Sequence, residues 1–255
     1  MVVLHALKAA MADLWWAPPS LQTVNRPEVC YTIDRTNRFN RVMRIDSHHP
    51  NIQSLVTEVS VAHTNLASQF TTYPEQGDGW WKFLEVHGYE QGQDHDIRYL
   101  DLKSVRRPDH PGIVTHTVRT KAELAVLEKI QAMAFEVPYT PSSDAELAFT
   151  VQEYQKSEPR AIRVLAMDEA SGEVLGTAGM SLFPHLGVSF FFAGGTIPQA
   201  RNRGVYSALI SARIKYAQSR GIEIAGIFAR RHSSSPIAAR QGFQKCGEMV
   251  YWTRD

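Results

Sequence analysis

Cysteine is scarce in this sequence, which contains only Cys30 and Cys246 in 255 residues. The two lie far apart and cannot form the closely spaced pair typical of zinc sites, and so few thiols are typical of a reducing compartment. His48 and His49 have no further ligands at metal spacing, and there is no His-Glu-x-x-His motif. The pattern predicts no metal site and favours a cytoplasmic protein.

Long apolar runs and an excess of charge of one sign are also missing. No run approaches the ~20 apolar residues of a membrane helix, and residues 1–16 lack the apolar segment of a signal peptide. Lysine and arginine number 27 against 26 acidic residues, and this net charge of +1 disfavours bulk binding to nucleic acid or an anionic membrane. We therefore expect neither partner, and a phosphate-bearing ligand requires a local site.

The sequence has neither a Walker-type Gly-Lys-Ser nor a Gly-x-Ser-x-Gly elbow. It has instead a basic turn, Thr196–Ser207, between an apolar run at Val188–Ala193 and a helical pattern over Val205–Arg220. The first turn of such a helix has unpaired N–H groups and the positive end of the dipole, and Gly204 lets an anion approach the backbone. The segment predicts a phosphate cradle.

Turn residues divide the chain into two halves. Segment 106–112 is polar with two prolines and a glycine, and we interpret it as a linker between domains at 1–105 and 113–255. Hydrophobic periodicity in the second domain predicts an α/β (α+β) fold, a mixed sheet with helices on its faces. The strands are predicted at 113–119, 161–168, 173–183, 188–193, 222–229 and 248–253, and the helices at 121–134, 144–155, 205–220 and 235–241.

This order resembles the GNAT (GCN5-related N-acetyltransferase) family over residues 113–255. The acyl-CoA motif of that family is usually [Q/R]-x-x-G-x-[G/A], and Arg201 and Gly204 match its first and fourth positions. Tyr206 departs from it, standing where glycine or alanine is usual, although a side chain there is expected to point into the helix. Segment Ser234–Phe243 resembles the late helix of the family that ends in Gly-Phe.

The resemblance implies an N-acetyltransferase that transfers the acetyl group of acetyl-CoA by direct attack of an amine, on a small-molecule or amino-acid-like acceptor. Two alternatives stay open: a catalytically silent acyl-CoA-binding module that contacts another protein, and acyl transfer to a hydroxyl. Backbone N–H groups around 195–197 are expected to hold the thioester. Phosphate contact is favoured for Arg201 and left open for Arg203. The expected coenzyme A site comprises Gly195, Thr196, Ile197, Arg201, Asn202, Arg203, Gly204, Val205, Tyr206 and Ser207.

The acid and the base of such a reaction are not assigned by the resemblance. Many members have a tyrosine for the departing thiolate where this chain has Ala238, and a strand glutamate that is missing from 188–192. Ser234 and Ser235 lie close to that position, but a serine before Pro236 is more typical of a helix N-cap. The break after the first helix forms one wall of the acceptor site in the family. The catalytic candidates are Ser234, His232 and Glu136, and the acceptor-binding candidates are Phe135 and Tyr139.

The first half echoes the second. Strands are predicted at 39–45, 69–73 and 97–102 and helices at 51–67 and 80–86. Gly88 follows Pro50 by the same interval that separates Gly242 from Gly204, so we interpret 29–102 as a degenerate partial copy. Its phosphate turn, 46–50, has no glycine and contains Asp46, so we expect this half to be structural or to shape the substrate cleft without binding coenzyme A. A homodimer is left open.

Overall fold

The computed structural model describes residues 2–15, 17, 21–35, 40–77 and 79–255. The helices in these ranges are α1 (Val2–Ala12), α2 (Ile52–Ala62), α3 (Trp81–Val86), α4 (Lys121–Phe135), α5 (Asp144–Gln155), α6 (Val205–Ser219) and α7 (Ser234–Arg240). The strands are β1 (Gln22–Asn25), β2 (Val29–Ile33), β3 (Arg41–Ile45), β4 (Ser68–Thr72), β5 (Glu90–Asp101), β6 (Ile113–Thr117), β7 (Ala161–Asp168), β8 (Val174–Phe183), β9 (Val188–Thr196), β10 (Ile224–Arg230) and β11 (Gln244–Arg254).

The chain forms two compact units. The first comprises Met1–Arg98, Phe228–Ala239 and Lys245–Asp255, and the second comprises Tyr99–Ile227 and Arg240–Gln244. This division differs from the one interpreted from the sequence, because α7 and most of β11 belong to the first unit and segment 106–112 belongs to the second. The reason is that β11 pairs with β4 over Val250↔Thr72 to Arg254↔Ser68, a contact that no local sequence pattern reports.

The first unit has a mixed sheet in the order β1-β2-β3-β4-β11-β5. Most of its described neighbours are antiparallel, but β3 and β4 are parallel, in register at Arg41↔Gln69 and Val42↔Phe70. All five residues of β2 are buried, as expected for an apolar strand with both faces covered. The helices α2 and α3 cover one face with a core that includes Val29, Val56, Val59, Phe70, Leu84 and Trp252.

The second unit has the order β10-β9-β8-β7-β6. The pair β9–β10 is parallel and the other pairs are antiparallel. Helix α4 begins with a capping box formed by Thr120 and Glu123. Helix α5 is capped by Ser143, because the Ser143 hydroxyl accepts a hydrogen bond from the Glu146 amide.

Most elements of the second half were predicted to within a few residues, and those of the first half less well. Helix α2 ends at Ala62 rather than at 67, because Asn65 adopts a positive φ of 61° that stops the helix. Strand β5 begins at Glu90 rather than at 97, and β1 and β2 were not predicted. Residue 39, the predicted start of β3, lies outside the described residues.

Strands β8 and β9 approach closely at Gly176. A Cβ atom there would lie 2.7 Å from the Gly195 carbonyl oxygen and 2.9 Å from Val205 Cγ1. Because a backbone atom cannot move aside cheaply, Gly176→Ala is expected to lower the free energy of unfolding by about 2 kcal/mol. Urea unfolding measures this. Gly79→Ala is the control, since no atom lies within 4 Å of its Cβ position, and equal stability of the two variants would contradict the prediction.

Candidate functional site

The segment between β9 and α6 forms a tight turn in the second unit. Asn202 and Gly204 both have positive φ angles, 65° and 83°. The first backbone hydrogen bond of α6 is donated by the Ala208 amide to the Gly204 carbonyl, at 2.9 Å. The amides of residues 205–207 therefore precede the intrahelical pattern at the positive end of the helix dipole. This arrangement fits an anion such as the diphosphate of a nucleotide.

Gly204 is the residue of this turn that leaves the backbone most open. Its φ of 83° favours glycine, and a Cβ there would meet only His110 Nδ1 at 3.8 Å and Ile113 Cδ1 at 3.9 Å. The imidazole of His110 thus lies beside the turn, with Nε2 3.2 Å from the Ser211 hydroxyl. His110 lies in the segment interpreted as a linker and was not predicted to be near Gly204, since no local sequence pattern connects the two.

The two arginines of the turn are held by carboxylates. Arg201 Nη2 lies 2.7 Å from Glu136 Oε1, and Arg203 Nη2 lies 2.7 Å from Asp168 Oδ2. Hydrogen bonds from the Ser171 amide and from Arg203 hold the pKa of Asp168 below its usual value. Ion pairs as exposed as these are screened by solvent and contribute little to stability. A phosphate can therefore replace either carboxylate at little cost. The contact between a phosphate and Arg201 that was expected from the sequence requires Arg201 to leave Glu136.

Strand β9 contains a β-bulge next to the turn. Thr177 pairs with Gly195 and Gly179 pairs with Phe192, so that Ala193 and Gly194 both face the single residue Ala178. Ala193 has a φ of 46°, which is unusual for a residue other than glycine. The described register between β9 and β10 ends at Phe191↔Ile227. The bulged segment is therefore a place where an extended ligand can bond to backbone groups.

One expected thioester donor in this segment is not available. The Ile197 amide donates to the Leu175 carbonyl at 3.0 Å, and the Ile197 side chain is buried, so the expectation for this N–H group was wrong. By contrast, the buried Thr196 hydroxyl has no hydrogen-bond partner among the described residues. An unsatisfied buried hydroxyl is costly, and a ligand on this part of β9 would satisfy it.

The end of α4 lies against the bulged strand. A Cβ at Gly195 would be 2.9 Å from Ala134 Cβ and 3.4 Å from Phe135 Cζ. The next residue, Glu136, forms the ion pair with Arg201. Both expected wall residues are partly exposed, Phe135 at 46% and Tyr139 at 42%. The structure thus brings Phe135 and Glu136 to the turn predicted to bind phosphate, and leaves Tyr139 on the surface of the following loop.

Tyr206 reaches the strand rather than pointing into its helix. Its Cε2 atom lies 3.0 Å from the position of a Gly194 Cβ, and its hydroxyl bonds to the Arg213 guanidinium. Arg213 is buried and also donates to the carbonyls of Leu209 and Gly179. Burial lowers the pKa of Arg213 to about 10. Tyr206, which replaces the usual small residue, therefore packs its ring against the bulge. Its side chain had been expected to point into the helix.

The other two catalytic candidates, Ser234 and His232, belong to the first unit. His232 is exposed in the turn before α7, and α7 begins at Ser234. Ser235 is therefore not the N-cap suggested by the sequence. Ala238, which occupies the position of the tyrosine in the family, is buried at 1% exposed.

Ser235 belongs to a buried charge network in the first unit. Its hydroxyl donates to Asp96 Oδ2 at 2.5 Å and accepts from Arg98 Nε at 2.7 Å. Lys245 Nζ lies 2.8 Å from Asp96 Oδ1, and Arg231 Nη1 lies 2.8 Å from Asp94 Oδ2. Asp96 is 4% exposed and receives most of these contacts. The cluster holds α7, β5 and β11 together and has no group free to act as a base.

This network makes stability depend on pH. Burial by itself raises the pKa of Asp96, but hydrogen bonds from Lys245 and Ser235 outweigh it and hold the pKa below its usual value. The unfolded chain, with a pKa of about 3.9 for aspartate, then binds more protons than the folded one. The stability from Asp96 is therefore complete above that pH and is lost as the pH falls through the folded pKa. Urea unfolding between pH 7 and 3 should show a steeper loss for wild type than for Asp96→Asn, and parallel curves would contradict this origin.

Within the described ranges, no group of three or more histidine, cysteine, aspartate or glutamate side chains is placed to hold a metal ion. No helix in the described part of the chain is both long enough and apolar enough to cross a bilayer.

This chain is similar to known proteins in part of its sequence and in its fold. Residues 124–247 match the model of the acetyltransferase (GNAT) family. No curated protein matches the sequence. A GCN5-related N-acetyltransferase from Kribbella flavida superposes with a TM-score of 0.71 at 17% identity, over 97% of this chain and 95% of that one. A second, from Sphaerobacter thermophilus, gives 0.63 at 17% identity, over 89% and 80%.

A third similar structure is a tandem GNAT protein from the clavulanic acid biosynthesis pathway. Its TM-score is 0.60 at 17% identity, over 97% of this chain and 87% of that one. At such identities the likeness shows a shared fold, and it confirms the mixed sheet with flanking helices predicted from the sequence.

Proposed function

From the match of residues 124–247 to the model of the acetyltransferase (GNAT) family, we propose that this chain transfers the acetyl group of acetyl-CoA to the amine of a small molecule. Members of the family carry out acyl transfer from coenzyme A, and the amine acceptor is our inference. In the reaction, the amine nitrogen attacks the thioester carbonyl carbon, the carbon–sulfur bond breaks, the amine loses a proton and the departing thiolate gains one.

The observation that carries this proposal is the adjacency, within one unit, of a phosphate-compatible helix terminus and a bulged strand. Residues 205–207 present free helical amides, and β9 bulges at Ala193 and Gly194 only a few residues before them. An acetyl-CoA molecule has the matching parts, a diphosphate for the first and an extended arm ending in a thioester for the second. Backbone N–H groups at the bulge would then stabilise the developing oxyanion.

The end of α4 supports an amine as the acceptor. Phe135 and Val137 expose apolar surface, and Glu136 places a carboxylate between them. A carboxylate attracts a protonated amine, and apolar neighbours suit a carbon skeleton. If a phosphate binds Arg201 in place of Glu136, the Glu136 carboxylate is free to contact the acceptor. We propose this role in acceptor binding for Glu136, together with that of a base after the amine arrives.

The first half has a different role in this proposal. Its parallel pair β3–β4 and intervening α2 mirror β9–β10 and α6, which supports a degenerate copy. At the equivalent turn, however, Asp46 Oδ1 accepts from the His48 amide at 3.0 Å and the Asp46 carbonyl accepts from the His49 amide at 3.2 Å. Two amides of this turn are thus already bonded, and the negative charge of Asp46 would repel a phosphate. We propose that this half binds no coenzyme A.

A silent binding module is the rival that Ala238 favours, since no tyrosine serves the thiolate there. The experiment is to incubate the protein with acetyl-CoA and pairs of amines and alcohols of the same skeleton, and to follow free thiol and product mass. Thiol release that requires an amine, with a product 42 mass units heavier, supports the proposal, the increment being about that of one acetyl group. Products with alcohols alone would overturn the amine assignment, and binding without any turnover would favour the silent module.

A further inference from the structure

The second unit contains a cavity that has no part in the proposed reaction. It has a volume of about 660 Å³ and lies between the segment after β5 and the C-terminal end of α6. This volume is in the range of small-molecule sites. The charged or polar side chains on its walls are Lys103, Arg106, Arg107, Lys215, Gln218 and Glu223.

The walls of this cavity have an excess of positive charge. Lys103 Nζ pairs with Glu223 Oε2 at 2.8 Å, and Lys215 Nζ pairs with Asp109 Oδ1 at 2.6 Å. Among the charged groups on the walls, two guanidinium groups remain, Arg106 and Arg107, and neither has an ion pair with the described residues. In a chain with a net charge of only +1, this is a local concentration of cationic groups.

Arg107 is the more unusual of the two arginines. Its Nη2 donates to the Gln241 carbonyl, while its Nε is buried with no hydrogen-bond partner among the described residues. Burial lowers the pKa of Arg107. A buried donor on a charged group is costly when it has no acceptor, so the site is complete only with an added acceptor.

Hydrogen bonds within the chain already engage several carbonyls of the cavity wall. The Gln218 side-chain amide donates to the carbonyls of Leu102 and Val105 at 2.7 and 2.9 Å. The amides of Gly221 and Ile222 bond to the last carbonyls of α6 at 3.0 and 3.1 Å. These bonds fix the walls. The unmet Arg107 Nε donor and the excess of positive charge therefore favour an anion as the ligand of this cavity.

We propose that this cavity binds a small molecule carrying a phosphate monoester, held by Arg106 and Arg107. Guanidinium groups suit the oxygens of a dianion better than a single surface lysine does. Helix α6 has 15 residues, so the cavity is about 20 Å from the turn at its other end. If one molecule had its diphosphate at that turn, a phosphate only a few bonds from the diphosphate could not reach the cavity. The site is independent of the proposed donor site.

The test is calorimetric titration of inorganic phosphate, at constant ionic strength, into wild type, Arg106→Glu and Lys129→Glu. Arg106 and Lys129 are both exposed, so each variant should fold, which circular dichroism checks, and both change the net charge equally. We expect Arg106→Glu to weaken binding at least about tenfold and Lys129→Glu to change it less than about twofold, since the contact is local. Acetate in place of phosphate should bind more weakly.

The donor site supplies the second control, because it could also bind phosphate. Gly204→Glu should leave the phosphate affinity unchanged if the cavity is the site. Loss of phosphate binding in Gly204→Glu, or equal affinity of wild type and Arg106→Glu, would overturn the proposal. Neither result depends on whether the chain transfers acetyl groups.

Discussion

Gly204→Glu is expected to weaken acetyl-CoA binding by about 100-fold or more while the fold stays intact. The new carboxylate would lie at the first turn of α6, where the amides of 205–207 and the helix dipole favour an anion. Two negative groups a few ångströms apart in a partly closed site repel strongly, and a hundredfold loss corresponds to about 2.8 kcal/mol. Calorimetric titration of acetyl-CoA into wild type and variant measures the loss.

The matched control for this variant is Gly204→Asn. Asparagine tolerates a positive φ better than other residues with a side chain, and the Cβ position has only His110 and Ile113 near it, at 3.8 and 3.9 Å. The asparagine variant therefore adds bulk and some strain without charge. We expect it to bind at least about tenfold more tightly than the glutamate variant. Unchanged binding in Gly204→Glu would mean that the helix terminus does not hold the donor.

Asp96→Asn is expected to lower the free energy of unfolding by about 3 kcal/mol, because it leaves Lys245 and its neighbours without their central carboxylate. Removing one partner of a buried ion pair typically costs this much. Asp96 is 4% exposed and accepts the Ser235 hydroxyl at 2.5 Å as well as Lys245 at 2.8 Å. Urea unfolding at pH 7 measures the change.

Asp94→Asn provides the comparison for Asp96. Asp94 carries the same charge two residues earlier on β5, and its side chain is 37% exposed. It pairs with Arg231, whose Nε also lies 3.6 Å from Asp96 Oδ1. Solvent screens the pair of Asp94 and Arg231, so the expected loss is about 1 kcal/mol or less. Similar losses for the two variants would contradict the view that burial of Asp96 makes the network important.

The sequence was most informative where function depends on local backbone. The tight turn before α6 could be predicted because a strand, a glycine turn and a helix follow one another within a short segment, and the helix patterns of α4, α5 and α6 are each carried by their own residues. The same locality explains the errors in the first half. The start of β5 is polar and largely exposed, so its strand conformation depends on neighbouring strands and not on an apolar alternation.

Contacts between residues far apart in the sequence could not be found in this way. His110 reaches the cradle from a segment more than ninety residues earlier in the chain, and Ser235 bonds to Asp96 across a separation of 139 residues. Tyr206 was judged by the usual rule for its motif position, whereas its direction is set by packing against Gly194 and by Arg213. These are properties of tertiary packing, which override local preference.

The most direct test of the central claim is to follow backbone amide resonances of the isotope-labelled protein while acetyl-CoA is added. The account predicts that the largest shifts occur at Gly204–Ser207 and around the bulge at Ala193 and Gly194, and that Asp46–Asn51 at the equivalent turn of the first half do not respond. Shifts centred on the first half, or no response at residues 204–207, would contradict it.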